Sequence, residues 1–303
     1  MSWLLTATNK QSRFVLLLLL VWYVVGRVLQ LFAGRIPSLL IVVCHVVPPA
    51  VFAVIHGRHI YGRRGILVFV ALCLGVGTIF EIMSLRTGFP FGHYEFTDLM
   101  GPKLFKVPLL LALAYVGMGY LSWVLAVLIL RYRGQRLSGE KIVTLPLVAS
   151  VIMVAWDLSM DPVWANIDRA WVWRDGGSYY GVPISNFLGW YLTVYIFYQL
   201  FALYLTKDAP AAVEAPAWRL AVLFYAASAA GNLLVTAPLS QPASFVDGSG
   251  RHWSISEVLW ASRLVSIFLL IPLSPIAWAG TSASANPSPK HEHLIEKEHF
   301  PEV

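Results

Sequence analysis

The sequence predicts an all-α fold, a polytopic transmembrane bundle of about eight (seven to eight) helices, from three observations. Of the 303 residues, 58% are hydrophobic and only 13% are charged, whereas a soluble domain carries roughly a quarter charged residues. The mean hydropathy is +0.67. The apolar residues form runs close to the ~20 residues that cross a bilayer. Because backbone groups in lipid must be hydrogen-bonded internally, these runs predict helices.

Eight apolar runs predict the spans in chain order. The first follows Lys10 and Arg13, and no small-residue cleavage site comes after it, so we expect an uncleaved helix. Arg27 interrupts the first run, and Pro48 with Pro49 interrupts the second, which makes these two the least regular. The predicted spans are 14–34, 38–56, 65–85, 106–130, 142–160, 187–206, 217–238 and 256–279.

The remaining segments predict one domain followed by a tail. Residues 1–280 are interpreted as a single transmembrane helical domain without internal repeats. The stretch 281–303 is polar and broken by prolines, which predicts a disordered cytoplasmic tail.

The net charge of +6 does not indicate a nucleic-acid partner, because the basic residues lie in alternate loops rather than in one patch. Short loops rich in Lys and Arg remain in the cytoplasm. The pattern therefore predicts a multi-pass protein of the cell (inner or plasma) membrane with both termini cytoplasmic. The basic residues that follow the second, fourth and sixth spans are Arg58, Arg63, Arg64, Arg131, Arg133, Arg136, Lys141, Lys207 and Arg219.

Several chemistries lack the residues they need. Cys44 and Cys73 fall inside predicted spans, so we expect two buried thiols rather than a disulfide. The stretch "HGRH" at 56–59 is the nearest approach to an iron-binding histidine box, and it lies away from the other candidates, so no metal is predicted. The sequence contains no glycine-rich nucleotide loop, serine triad motif or CxxC, and no cofactor is predicted.

Three loops on the predicted outer side combine acids, glycines and aromatics: 81–108, 155–190 and 237–254. Asp157 and Asp161 lie four residues apart and would share one helix face. Two such carboxylates in a poorly hydrated place cannot both ionise cheaply, so one retains a proton. Pro162 is expected to end the helix near Asp161. In the alternative interpretation, Asp161 caps a turn and Asp157 accepts a bond from a tryptophan N–H.

Glu81 is a third acid, near the end of an otherwise apolar helix. Charged groups at this depth usually face the bundle interior and have a partner. The alternative is that Glu81 pairs with Arg86 or anchors the helix at the interface. His93 follows in the next loop and could join the acid site or serve only as a loop hydrogen-bonder.

Aromatic side chains surround the acids. The simplest explanation is an interfacial aromatic belt. However, "GGSYYGVPISN" predicts a defined turn with Asn186 at the start of a helix. Aromatic faces also stabilise cations, and an acid beside such faces is what protonation of an alkene requires. The residues expected to bind a substrate are Phe89, Tyr94, Trp156, Tyr179, Tyr180, Asn186 and Trp190.

Four stretches together resemble the bacterial and archaeal membrane carotenoid-biosynthesis family that includes carotenoid 1,2-hydratases. They are "EIMSLRTGFPFGHY", "GPKLFKVPLL", "WDLSMDP" and "GGSYYGVPISNFLGW", and the similarity covers roughly residues 75–205. The resemblance implies addition of water across the terminal C1=C2 double bond of an acyclic ψ end group. It implies linear or monocyclic carotenes as substrates in the bilayer, including C50 bacterioruberin precursors, and association with other carotenoid-biosynthesis enzymes.

For this reaction, each candidate site residue would have a defined role. Asp157 or Asp161 would donate the proton, and Glu81 with His93 would orient and deprotonate water. Asn186 would hold water or a carboxylate, while the aromatics would line the pocket. Three alternatives remain open: cyclisation or isomerisation at an isoprenoid end group, non-catalytic binding of a carotenoid or lipid, and proton-coupled transport.

Overall fold

The computed structural model describes residues 10–207, 210–211 and 213–282. In this part of the chain, seven helical segments are long and apolar enough to cross a membrane. Residues 283–303, most of the predicted tail, lie outside the described residues. Thr281, which the sequence assigned to that tail, is buried. The helices are α1 (Lys10–Leu29), α2 (Ser38–Thr87), α3 (Leu109–Ile129), α4 (Lys141–Asn166), α5 (Ile184–Tyr204), α6 (Ala215–Gly231), α7 (Ile255–Val265) and α8 (Ile271–Gly280).

Helix α2 contains both the second and the third predicted spans. A straight helix of its 50 residues would be about 75 Å long, more than twice the thickness of a bilayer core. Gly62 interrupts α2 with φ 70° and ψ 176°, a conformation that is accessible mainly to glycine. The two ends of α2 then reach the same segment, since Leu39 and Ser84 both contact residues 91–101. The chain therefore reverses at Gly62, and α2 supplies two helices to the bundle.

The described chain is not purely helical, and here the all-α prediction was incomplete. Short antiparallel ladders occupy the loops between the helices. Each of the two strands beside the acids alternates buried and exposed residues, because neighbouring side chains of a strand point to opposite faces. The pairs are β1 (Tyr94–Phe96) with β4 (Trp171–Trp173), β2 (Lys103–Leu104) with β3 (Val107–Pro108), and β5 (Ser244–Val246) with β6 (His252–Ser254).

Hydrogen bonds gather the basic loops at one end of the bundle, which we call the basic end. Arg136 Nε donates to the carbonyl of Thr206 at 2.6 Å, and the backbone N–H of Ala211 donates to the carbonyl of Ile60 at 2.9 Å. The β1–β4 ladder lies at the opposite end, here called the strand end. Which end faces the cytoplasm stays a prediction from the charges.

Pro162 does not end α4, contrary to the expectation from sequence. The helix continues to Asn166. Proline has no N–H, so the carbonyl of Leu158, four residues earlier, loses its helical partner. The hydroxyl of Tyr179 donates to that carbonyl at 3.1 Å and replaces the missing bond. The helix therefore continues beyond Asp161 instead of ending there.

Candidate active site

Asp157 and Asp161 lie one turn apart on α4, and both are fully buried. Nδ2 of Asn186, near the start of α5, donates to Asp157 Oδ2 at 3.1 Å and to Asp161 Oδ2 at 2.7 Å. A single amide group thus bridges the two carboxyl groups. The sequence suggested that Asn186 would hold water or a carboxylate, and in the structure it is bonded to two carboxyl groups. The two acids therefore form one unit.

Two indoles hold Asp161 from the other side. Nε1 of Trp171 and Nε1 of Trp173 each donate to Asp161 Oδ1 at 3.2 Å. They reach the same oxygen because alternate residues of β4 share a face. The tryptophan N–H bond that the alternative interpretation placed on Asp157 is therefore found on Asp161, and Asp157 Oδ1 is buried without a partner among the described residues.

Glu81 is buried in the second half of α2, and its partners are tyrosines rather than Arg86. The hydroxyl of Tyr115 donates to Glu81 Oε1 at 2.8 Å, and the hydroxyl of Tyr94 donates to Oε2. Burial raises the pKa of Tyr94 well above its ordinary value, and the Glu81 carboxylate raises it further. Tyr94 therefore keeps its proton and remains a donor to Glu81.

The β1–β4 ladder connects the two acid groups. Tyr94 and Trp173 are paired in its register, and their ring centroids lie 4.9 Å apart. One of them holds Glu81 and the other holds Asp161. The position of Glu81 relative to Asp161 is therefore fixed by the pairing of β1 with β4 as well as by helix packing.

Glu81 and Asp161 line the same cavity, which we call the acid cavity. Its volume is about 280 Å³. Apart from these acids and Asn186, its walls are aromatic or aliphatic. The lining residues are Glu81, Phe91, Tyr94, Phe96, Leu111, Asp161, Trp171, Trp173, Asn186 and Trp190.

A larger apolar cavity of about 550 Å³ adjoins the acid cavity. The two share three wall residues, Leu111, Trp171 and Trp190. Trp156 lines the larger cavity, as expected for a substrate-binding residue. Small-molecule sites have walls that are mostly apolar with a few polar groups, and both cavities have such walls. The arrangement suits an apolar ligand whose end reaches the acids.

Two predicted site residues lie outside both cavities. His93 is exposed, and its Nδ1 lies 2.7 Å from Asp175 Oδ2 at the surface. It neighbours Tyr94 in sequence but faces the other way, as consecutive residues of an extended segment do. Phe89 is 57% exposed. His93 therefore lies away from the acids and has the alternative role of a loop hydrogen-bonder, while substrate binding by Phe89 stays a prediction.

Tyr179 and Tyr180 do not line either of these two cavities, and each contacts a neighbouring part of the chain instead. Tyr179 bonds the carbonyl of Leu158, and its ring packs edge-on against Phe187 at 5.3 Å. Tyr180 has a positive φ of 51° and packs against Trp253, with centroids 5.3 Å apart. Both were expected to line the substrate pocket, and the structure instead shows Tyr179 in contact with α4 and α5 and Tyr180 in contact with the β5–β6 hairpin.

Sequence reasoning missed three residues that contact the acids. Trp171 and Trp173 were noted only as part of the aromatic segment, although their spacing of two residues is the strand pattern that brings them together. Tyr115 lies within the apolar run of α3, and nothing in its immediate sequence marks it as a partner of Glu81. Its role depends on the packing of α3 against α2.

Fold and site together define a class: a multi-helix membrane protein with a buried acid pair and an acidic, aromatic-walled cavity. The chain belongs to the carotenoid biosynthesis protein family, which it matches over residues 36–246. That range contains Glu81, Asp157, Asp161 and Asn186. It excludes α1, which contributes Tyr23 to the apolar cavity.

A curated relative is the bisanhydrobacterioruberin hydratase of Haloarcula japonica, which is 33% identical over 132 residues. The aligned stretch covers 43% of this chain and 42% of the relative, so the chain spans less than half of that protein's length. No solved structure matches the chain.

Proposed function

We propose that the protein is a carotenoid hydratase that adds water across the terminal C1=C2 double bond of an acyclic carotenoid end group. The observation that carries the proposal is the acid cavity, in which Asp161 and Glu81 share one aromatic-walled space beside an apolar cavity. The family supports a role in carotenoid biosynthesis, and the name of the Haloarcula relative supports hydration.

The proton donor in this proposal is the unit of Asp157, Asn186 and Asp161. Two carboxyl groups bridged by one amide in a buried place retain a proton between them, because two negative charges there repel. Asp161 faces the cavity and passes this proton to C2 of the alkene. Asp157 lies behind it and supplies the shared proton. The electron pair of the double bond forms the new C–H bond, which leaves a cation at C1.

The cation is captured by water on the opposite side of the cavity. The faces of Trp171, Trp173 and Trp190 stabilise positive charge through their quadrupoles. Glu81, positioned by two tyrosine hydroxyls, accepts a proton from the water as its oxygen bonds to C1. The product is a tertiary alcohol. Glu81 has gained one proton and the aspartate pair has lost one, so a proton passes from Glu81 back to Asp161, across the cavity that both line, before the next turnover.

The first experiment expresses the protein in a bacterial host that makes lycopene and analyses the pigments by chromatography and mass spectrometry. The wild type should give a product heavier by one water. Asp157→Asn should lower its amount by at least about 100-fold, since general acid catalysis contributes roughly 10²–10⁴. Asp175→Asn is the matched control, because this carboxylate is exposed and pairs only with His93 at the surface, so its product should equal that of the wild type.

Other outcomes identify the competing functions. A product with the mass of lycopene and a shorter chromophore would mean that the chain's own double bond captures the cation, as in a cyclase. Unchanged pigment, with the protein present in the membrane, would contradict hydration of this end group and favour a binding role.

A further inference from the structure

A third cavity, which we call the polar chamber, adjoins the apolar cavity on the side away from Glu81. Its volume is about 430 Å³. It shares Arg27, His45, Met160, Trp164 and Asn232 with the apolar cavity. The acid cavity, the apolar cavity and the polar chamber thus follow one another, each sharing walls with the next.

The polar groups at the shared wall are buried. Arg27 is 7% exposed, His45 9% and Asn232 5%. Arg27 Nη2 donates to the carbonyl of Ser228 at 3.2 Å and to Asn232 Oδ1. These bonds place the guanidinium against the end of α6 and hold it at the wall of both cavities.

His45 provides the second observation. Its Nε2 is buried and has no hydrogen-bond partner in the part of the chain that the structure describes. Buried polar groups in proteins are nearly always bonded, and an orphaned one costs roughly 1–3 kcal/mol. Because His45 lines both the apolar cavity and the polar chamber, a ligand atom placed between them would satisfy this nitrogen.

We propose that Arg27 and His45 form a recognition site for a neutral oxygen, a hydroxyl or carbonyl, carried by the isoprenoid ligand at some distance from its reacting double bond. Asn232 positions the guanidinium, since its Oδ1 accepts from Arg27 and its Nδ2 is bonded to the hydroxyls of Ser159 and Ser266. The inference deepens the proposed function, since it rests on the acid cavity holding that double bond. Asp168 lines the same chamber. A carboxylate or phosphate on the ligand would lie in one chamber with this second acidic group, so we take the recognised oxygen to be uncharged.

Linear isoprenoid alcohols test the proposal directly. Geraniol, farnesol and geranylgeraniol carry the same trisubstituted terminal alkene and place a hydroxyl one further isoprene unit away at each step. Binding of each alcohol and of its deoxygenated hydrocarbon to the full-length protein in detergent is measured by calorimetry. We expect one alcohol to bind at least tenfold more tightly than its hydrocarbon, a difference of about 1.4 kcal/mol.

Two variants locate the preference. His45→Phe keeps a ring beside Trp164, where the centroids are now 6.3 Å apart, and removes the free nitrogen. Arg27→Met removes the cation. Each should reduce the alcohol preference to less than about twofold, while His59→Phe, the same substitution in the α2 turn at the basic end, should retain it. Because His45→Phe breaks no bond of Nε2, it tests recognition even if Arg27→Met fails to fold.

Three results would overturn the inference: equal binding of every alcohol and its hydrocarbon, a preference that persists in His45→Phe, or tighter binding of the corresponding isoprenyl phosphate than of the alcohol. Equal binding would mean that the polar chamber holds only water and recognises no oxygen of the ligand. The assay needs no turnover, so a preference that depends on His45 would stand even if lycopene were not hydrated, and only the proposed function would then fail.

Discussion

At the scale of single residues, the site consists of acids whose hydrogen bonds come almost entirely from neutral donors. Asp161 accepts two indole N–H bonds and one amide bond, and Glu81 accepts two phenol hydroxyls. Such donors orient a carboxyl group without the fixed positive charge of an arginine or lysine. A carboxyl held in this way can exchange a proton, which is what the proposed reaction requires of both acids.

Tyr115→Phe tests this arrangement at Glu81. The change removes the donor to Oε1 and leaves that oxygen buried and unpaired, which costs roughly 1–3 kcal/mol. We expect kcat/KM for the hydration to fall about tenfold or more while the protein still folds. Tyr225→Phe is the matched control, since the buried hydroxyl of Tyr225 has no partner among residues 10–207, 210–211 and 213–282. Its loss should leave turnover unchanged and the melting temperature unchanged or slightly higher. Equal effects of the two changes would contradict the role of Tyr115.

At the scale of helices and strands, prolines inside α4 are tolerated because side chains replace the missing backbone donors. Tyr179 does so for Pro162 at the carbonyl of Leu158. Nε2 of Gln199, on α5, does the same for Pro146 by donating to the carbonyl of Ile142 at 3.1 Å. Both replacements come from the chain that follows α4, so they also fasten α4 to its neighbours.

A double substitution tests the replacement at Pro162. Tyr179→Phe should destabilise the protein by roughly 1–2 kcal/mol, because the carbonyl of Leu158 loses its donor. Adding Pro162→Ala restores a backbone N–H four residues later, so the double variant should recover most of that loss. Denaturation in mixed detergent micelles measures both. If Pro162→Ala gave the same gain in the wild type as in the Tyr179→Phe variant, the bond would not be the cause.

The elements also show how far the sequence could predict the site. Asp157, Asp161, Glu81 and Asn186 could be found because polar residues in apolar runs are costly and so have partners. Composition could not show that the side chain of Tyr94 faces the acids and that of His93 faces the surface. The face that each side chain takes is fixed only by the pairing of β1 with β4. The position of Tyr180 depends on a left-handed backbone conformation, and the role of Tyr115 depends on packing between helices.

At the scale of the whole molecule, the reversal of α2 brings Glu81 back to the strand end, where the ladder and the acid pair lie. The eight predicted runs fall largely within the seven described helical segments that are long and apolar enough to cross a membrane, and the number of spans stays a prediction. The reversal itself carries a weaker signal, the single glycine at position 62 within "YGRRG". Nothing in composition distinguishes it from the other glycines of the chain.

Gly62→Ala and Gly75→Ala separate backbone strain from packing within α2. A Cβ at either position would meet no atom within 4 Å. At Gly62 the φ of +70° and extended ψ are unfavourable for alanine, so we expect destabilisation by about 1–3 kcal/mol and less folded protein in the membrane. At Gly75, within regular helix, alanine should be neutral or stabilise by up to roughly 1 kcal/mol. Size-exclusion melting curves compare the two, and equal losses would refute the strain argument.

The acids and part of the wall of the apolar cavity come from different segments of the chain, which has a consequence for how the cavity can change. The acids and their donors come from residues 81–190, inside the range matched by the family, whereas Tyr23 and Arg27 of the apolar cavity come from α1, outside it. Drift in α1 can therefore reshape what the cavity accepts while leaving the acids untouched. Replacing α1 by the corresponding helix of a relative should therefore change which ligands the apolar cavity accepts and leave the acids in place.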